Sequence, residues 1–410
     1  VSRGRVFLSM CSMVFLVNLG RVVFAPLLEP LSAAFALSAS TAGLIATLAW
    51  LGSATPRIPT GYLLTRVERH KVVLGAGAVL TGAATFIAFA NSVVVLGVGA
   101  FLMGVASGAY FIAANPLISE LYPERVGRTL GIHGTASQLA AVAAPLFVGA
   151  VLTASLWRGA FGTVPFAPWR GVFVVVALVA ATATAVFYWT AKRTDLPDAG
   201  SEDRALLDAA RKQWPIIVSG VAILGLTGFV WQGLFNFYIK YVTATKAVDP
   251  ATANTLLTVV FAAGVPAFWL TGRLADRLPH VPLMLSILAA FVACLFALTV
   301  VQGLVALAVV TAILGYVIHS LFPALDTYLL DSLPDENRAS AYSLYSGSMM
   351  IVQATGSVAV GTLVDAGFAY DTIFRTFGGV LVVVLAVLVV LYATDSLPAG
   401  GRDPSVARGD

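Results

Sequence analysis

Apolar positions in this chain neither alternate nor recur on a single helix face between polar neighbours; they form unbroken runs separated by short polar stretches. Twelve such runs, centred near residues 17, 53, 81, 106, 141, 180, 228, 263, 291, 316, 351 and 383, are each long enough to cross the roughly 30 Å of bilayer hydrocarbon as a helix. Continuity excludes a β-barrel, whose strands alternate lipid-facing and lumen-facing residues. The first run stands behind Arg3 and Arg5 and continues to about Leu28 without a small-residue cleavage site, so it is expected to be the first crossing rather than a leader. The pattern predicts an all-α integral membrane protein with twelve transmembrane helices.

Composition agrees, with 59% hydrophobic and 11% charged residues, where soluble domains carry about 25% charged. Cys11 and Cys294 sit inside apolar runs and are expected to be packing residues, with no disulfide framework and no metal site. The basic residues are spread over short loops, which speaks against a nucleic-acid partner despite the net charge of +4. There is no nucleotide loop, no His/Glu metal spacing and no pair of intramembrane carboxylates, so neither an enzyme nor a cofactor is expected.

The placement of the basic residues reports orientation. With both termini assigned to the cytoplasm, seventeen Lys and Arg fall on inner segments, five on outer ones, and Arg21 and Arg57 within the membrane. An internal repeat gives the organisation. "GYLLTR" at 61–66 is echoed by "GRLADR" at 272–277, and the same offset of 211 carries Thr41-Ala42 to Thr252-Ala253, Gly104 to Gly315, Glu120 to Asp331, Pro123 to Pro334 and Glu124 to Asp335. Two six-helix halves in parallel repeat follow, 1–191 and 214–393, joined by a polar cytoplasmic linker at 192–213 and followed by a disordered cytoplasmic tail at 394–410. Leu206, Leu207, Ala209 and Ala210 in the linker have the spacing of a short helix on the membrane surface.

Polar content sorts the helices. The third, sixth, ninth and twelfth carry no charged, amide or imidazole group in their cores. The others hold Asn18, Arg21, Arg57, Asn115, His133, Gln138, Gln232, Asn236, His319, Asp326 and Gln353, the eighth being nearly bare. Every third helix therefore reads as a lipid-facing support around a shared polar interior. Amides can instead bond across helices, each contributing about 0.6 to 2 kcal/mol. Arginine cannot shed its proton, and one at the bilayer centre costs about 2.5 to 3.5 kcal/mol on insertion scales. The available carboxylates, Glu29 toward the outer end of the first helix and Asp326 toward the inner end of the tenth, stand at other depths than Arg21 and Arg57. An anionic ligand completing a positive cavity is the expectation. The expected ligand-binding set is Arg21, Arg57, Asn18, His133, Gln138, Gln232, Asn236, His319 and Gln353.

The loop sequence Gly272-x-Leu274-x-Asp276-Arg277, with its partial copy Gly61, Arg66, Arg69 and Lys71, resembles the marker of the major facilitator superfamily of secondary transporters, and the resemblance covers essentially the whole chain. The first copy departs from the motif, with Thr65 in place of Asp and Glu68 in place of Gly. The resemblance implies a monomeric secondary transporter of a prokaryotic plasma membrane, working by alternating access. Gating contacts are expected around Gly61, Arg66, Glu120 and Arg128 in one half and Gly272, Asp276, Arg277, Asp331 and Arg338 in the other. Coupling to protons would use a group that changes charge, and Asp326, His319 and Glu29 are the candidates, with His133 a further one.

Within that superfamily, Arg57-Ile58-Pro59-Thr60-Gly61 looks like the Arg-x-Pro-x-Gly of nitrate/nitrite porters, and Asn18-Leu19-Gly20-Arg21 is similar to the Asn-x-Arg of cyanate-type transporters. The porters' second arginine would fall at Phe268, and their glycine-rich signatures are missing, so nitrate itself is not the expected cargo. The alternative is a proton-driven multidrug exporter. Ala100 stands where such exporters have an arginine, and "APLFVG" at 144–149 keeps only Pro145 and Gly149 of their fifth-helix motif.

The basic-residue count has a direct test. In a background lacking Cys11 and Cys294, Asn91→Cys is expected to react with an impermeant thiol reagent from outside and Ser201→Cys from inside; the reverse labelling would invert the topology.

Overall fold

The computed structural model describes residues 3–154, 167–196, 206–275, 277–333 and 338–396. Among them are eleven helices long and apolar enough to cross a membrane. A further crossing is built from two shorter helices, Ala39–Ala54 and Arg57–Leu63. The first crossing, Arg3–Val22, continues after a one-residue break as Phe24–Phe35, and the remaining crossings are Arg69–Ala88, Val93–Leu121, Val126–Thr153, Pro168–Lys192, Leu206–Thr245, Pro250–Ala275, His280–Val300, Leu304–Ser332, Arg338–Asp365 and Tyr370–Ala393. Asp276 and the tail from 397 onward lie outside the described residues, as do 197–205 of the linker. Residues 206–213 of the linker are helical and lead without interruption into the seventh crossing.

The break in the second crossing follows from its prolines. Pro56 has no N–H for the carbonyl of Gly52, four residues back, and the Thr55 hydroxyl donates to that oxygen at 3.2 Å instead. The helix is interrupted at Thr55 and Pro56, and Arg57 stands at the head of the turn that follows.

The 211-residue repeat is present in the packing itself. A Cβ on Gly104 would collide with the carbonyl oxygen of Ala49, and one on Gly315 with that of Val260, and 49 and 260 are again 211 apart. The second and fourth crossings thus meet as the eighth and tenth do, backbone against backbone, at a point where only glycine fits. The starts match too. Ser38 accepts from Thr41 N at 3.2 Å at the head of the second crossing, and Asp249 accepts from Thr252 N at 3.0 Å at the head of the eighth.

Calling the ends inner and outer after the basic-residue distribution, the first six and last six crossings are joined at the outer end. Gly43 abuts the Ser357 carbonyl and Gly361 that of Ala39, so the second and eleventh crossings touch along their outer halves. Asp365 closes the seam by accepting from Ala39 N at 2.9 Å and Ser40 N at 2.8 Å, capping the second crossing from the opposite half. Thr47 Oγ1 donates to Ala354 O at 2.8 Å, Lys240 donates to Ser32 Oγ at 2.9 Å and pairs with Glu29 at 3.4 Å, and Asn254 Nδ2 donates to Pro145 O at 2.7 Å. Glu29 is therefore an outer-end latch residue, remote from Arg21 in role.

The backbone crossings predict a contrast among glycines. Gly104→Val and Gly315→Val are expected to lower the melting temperature of the purified protein sharply, because the obstacle is a backbone atom that cannot turn aside. Gly75→Ala, where a Cβ meets nothing within 4 Å, is expected to be neutral or slightly stabilising. Equal sensitivity at all three positions would contradict the packing.

Candidate functional site

Arg21 is held at the wall of a central cavity by residues from three crossings. Asn18 and Arg21, three residues apart, share a helix face. Asn18 Nδ2 donates to the Ser137 carbonyl of the fifth crossing at 2.7 Å, which turns Oδ1 to accept from Arg21 Nη2 at 2.6 Å. Arg21 Nη1 donates to Ser53 Oγ at 3.2 Å, and its guanidinium carbon lies 4.0 Å from the centroid of the Trp50 ring, a cation–π stack. Only 9% of Arg21 is exposed, and its Nε is buried without an acceptor.

Trp50, Ser53 and Arg57 follow at i, i+3 and i+7, one face of the second crossing. Arg57 Nε donates to the Ser53 carbonyl at 3.3 Å, and Nη1 donates to Ser346 Oγ of the eleventh crossing. Ser53 is thus shared, its hydroxyl serving one arginine and its carbonyl the other. Arg57, the residue that the sequence singles out most strongly, also ties the two halves together.

The cavity measures about 330 Å³ and, among the described residues, takes its lining from the first, second, fourth, fifth, seventh, eighth, tenth and eleventh crossings, with none from the third, sixth, ninth or twelfth. Its plan is twofold in position. Arg21 and Gln232, Trp50 and Phe261, Phe111 and Phe322, and Gln138 and Met349 are four pairs 211 residues apart, and all eight residues line it. Its chemistry is not twofold. Both guanidiniums come from the first half, while the second half supplies Trp231, Phe235, Phe261, Phe322, Met349 and Met350. The cationic groups thus lie on one side, and the other side adds most of the aromatic and thioether surface beside the polar Gln232, His319, Tyr342, Ser346 and Gln353.

Of the expected ligand-binding set, Asn18, Arg21, Arg57, Gln138, Gln232, His319 and Gln353 meet at this cavity. His319 Nδ1 bonds to the Gly315 carbonyl at 2.7 Å, which places the proton on Nδ1, and Gly264 leaves room for the ring. Gln353 Nε2 donates to the Leu224 carbonyl at 3.0 Å, in a π-helical turn of the seventh crossing whose ladder is locally opened. His133 and Asn236 are elsewhere. The Tyr110 hydroxyl donates to Met10 O at 2.6 Å, leaving its oxygen to accept from His133 Nε2 at 3.0 Å. Asn236 Nδ2 is taken up by Gln232 O at 2.9 Å and Ser357 Oγ at 3.0 Å.

The expected inner cluster of the first half is arranged differently. Glu120 pairs at 2.8 Å with Arg69, which heads the third crossing, while Arg66 and Arg128 are exposed and form no ion pair among the described residues. Arg66 sits in the turn before that helix and points to solvent, which is why the register of the helix start, and not proximity in the motif, selects Arg69. Gly61 is buried in the second crossing, and Arg277 is exposed just past the eighth. Asp276 lies outside the described residues, as do the side chains of Asp326, Asp331 and Arg338 and the surroundings of Gly272.

Sequence reasoning passed over Trp50, Ser53, Ser137 and Ser346. The helical spacing of Trp50, Ser53 and Arg57 was the available signal, and the 211 offset from Trp50 to Phe261 was a second one.

The model of the family described as Major Facilitator Superfamily matches residues 10–245 and again 221–408. No curated protein matches the sequence. Among solved structures, a bacterial homologue of the human lysosomal transporter Spinster is similar at a TM-score of 0.78 and 19% identity, covering 97% of this chain and 97% of that one, in an inward-facing and occupied conformation. Its inward-facing, unoccupied form gives 0.77 and 19%, with 97% and 98% covered. A D-xylose–proton symporter gives 0.76 and 14%, with 95% and 97% covered. At these identities the likeness is one of fold.

The network around Arg21 predicts strong coupling. In a double-mutant cycle of Asn18→Ala and Arg21→Ala, read by unfolding of the purified protein, the coupling energy is expected to be about 1.5 to 3 kcal/mol, the range for a hydrogen bond to a charged group. Additive effects would mean that Asn18 does not hold the guanidinium.

Proposed function

This chain belongs to the Major Facilitator Superfamily, and on that premise we propose that it is a secondary transporter carrying a small organic or inorganic anion. One observation carries the reading. Arg21 stands nine-tenths buried on the wall of the central cavity, its described partners are the neutral Asn18, Ser53 and Trp50, and its Nε is buried with no acceptor. A guanidinium cannot escape that situation by deprotonating, so a ligand bringing negative charge completes the site.

Alternating access fits the outer closure described above: the Glu29–Lys240 pair, the two bonds that Asp365 accepts from Ala39 N and Ser40 N, and the Thr47 bond to Ala354 O are separate polar contacts that can form and break in each cycle. The two halves, 1–191 and 214–393, would rock about the cavity. The basic-residue asymmetry supports both termini in the cytoplasm, and membership of the superfamily is in keeping with a monomer in a prokaryotic plasma membrane. Any proton coupling falls to groups that can change charge, of which His319 is on the cavity wall and Glu29 at the outer latch. A multidrug exporter of cations has the aromatic wall in its favour, since Trp231, Phe235 and Phe261 could stack on a cation, but such a ligand would share about 330 Å³ with two guanidiniums.

The test is made at Arg21. Arg21→Lys, which replaces a planar fork by one point of charge, is expected to weaken binding of an organic anion, and Arg21→Ala to weaken it roughly 10- to 150-fold, the equivalent of about 1.5 to 3 kcal/mol. Arg57→Ala is expected to weaken it as well. Folded Arg21→Ala protein with unchanged anion affinity would refute the reading.

A further inference from the structure

The inner half of the fifth crossing carries three of its four glycines, Gly127, Gly131 and Gly134, at i, i+4 and i+7, and a Cβ on any of them would meet nothing within 4 Å among the described residues. Gly43, Gly104 and Gly315 are there because a backbone passes close by; these three are not. Each still weakens a helix by about 1 kcal/mol relative to alanine. What they create is space. A groove of about 690 Å³ runs along this face from Arg128 past Gly131, Gly134 and Thr135 to Gln138, with Val265 of the eighth crossing on its other side.

Gln138 also lines the central cavity, so the groove and the cavity share a wall residue, and its Nε2 is buried there without a partner. Between Gln138 and Arg128, whose exposed guanidinium stands at the inner mouth, the described lining of the groove is apolar. The Thr135 hydroxyl donates to the Gly131 carbonyl at 2.8 Å, which leaves its methyl group and the side chains of Leu130, Ile132 and Val265 to set the surface. The buried Arg21, its Nε without an acceptor, stands in the cavity beyond. Charge at one end and a long apolar trough leading away from it are complementary to an amphiphile.

Resting on the anion reading above, we infer that the substrate is an anionic amphiphile with one hydrocarbon tail, its head at Arg21 and its tail lying in the groove between the fifth and eighth crossings. Arg128 to Gln138 spans about 15 Å at 1.5 Å per residue. An extended backbone covers about 3.6 Å in three bonds, so a tail of roughly twelve bonds fills that length. The space opened by Gly131 and Gly134 admits the tail without moving the helices apart, while the outer latches stay closed.

The test measures dissociation constants of butyrate, octanoate and dodecanoate, referred to free aqueous concentration, on the full chain in lipid nanodiscs. Affinity of the natural protein is expected to rise up to about fourfold for each added methylene. Gly131→Leu and Gly134→Leu fill the groove and are expected to keep butyrate within about twofold while removing most of the gain from octanoate to dodecanoate, since methylenes left in water contribute nothing. Ile132→Trp blocks the same trough from an exposed wall position and is an independent variant should a glycine substitution not fold. An undiminished gain with chain length in all folded variants, or no gain in the natural protein, would overturn the inference while leaving the anion reading standing. Dodecanol binding as tightly as dodecanoate, with Arg21→Ala binding both as well as the natural protein does, would refute the anion reading and the inference with it.

Discussion

A guanidinium that cannot give up its proton, set in the middle of a hydrocarbon-spanning bundle, is the constraint around which the first half of this protein is organised. Arg21 is solvated by protein in place of water: Asn18 and Ser53 accept from it and Trp50 lies across its face. Each supporter is itself held. Asn18 is turned by the Ser137 carbonyl, and Ser53 sits where the prolines of the second crossing bend the chain. The arrangement lowers the cost of the charge without cancelling it, because no negative group is among these partners.

The repeat explains how a polar site arises in a bundle built from two copies of one plan. Backbone crossings at Gly104 and Gly315 and helix caps at Ser38 and Asp249 recur at the same offset, and they fix the same scaffold twice. Cavity positions recur too, but Arg21 faces Gln232 across the pseudo-twofold relation, Gln138 faces Met349, and Trp50 has Phe261. Position is inherited from the repeat, and among the described residues both cavity guanidiniums belong to one copy. A cavity cationic on one side and richer in aromatic and apolar surface on the other follows, suited to a ligand with two unlike ends.

Much of this is legible in the sequence alone, for physical reasons. Long apolar runs must become helices in a bilayer, so the crossings were secure. Polar residues in such runs must be shielded from lipid, so the eight crossings that carry the cavity could be told from the four that do not, even though the eighth looked bare and enters through Phe261. The choice among polar residues was less accessible. His133 and Asn236 satisfy themselves within their own half, with Tyr110 and with Gln232 and Ser357, and nothing in a single helix's sequence distinguishes that from facing a cavity. The pairing of Glu120 with Arg69 in place of Arg66 and Arg128 depends on where the third crossing starts, a boundary that composition leaves open by a turn. Trp50 was hidden because an aromatic residue in an apolar run looks like core, whereas here its ring carries a buried charge.

The closed outer seam, the cavity behind it and the uncompensated charge of Arg21 belong to one account, in which an anion fills the cavity while the halves rock around it. The most direct test is a thermal-shift comparison of the purified protein with matched ligands that share a hydrocarbon frame and differ only in carrying a carboxylate, a neutral amide or an ammonium group. Ligands that bind the folded state raise its melting temperature. The account predicts a rise with the carboxylates and none with the ammonium compounds; a rise with the ammonium compounds and none with the carboxylates would contradict it.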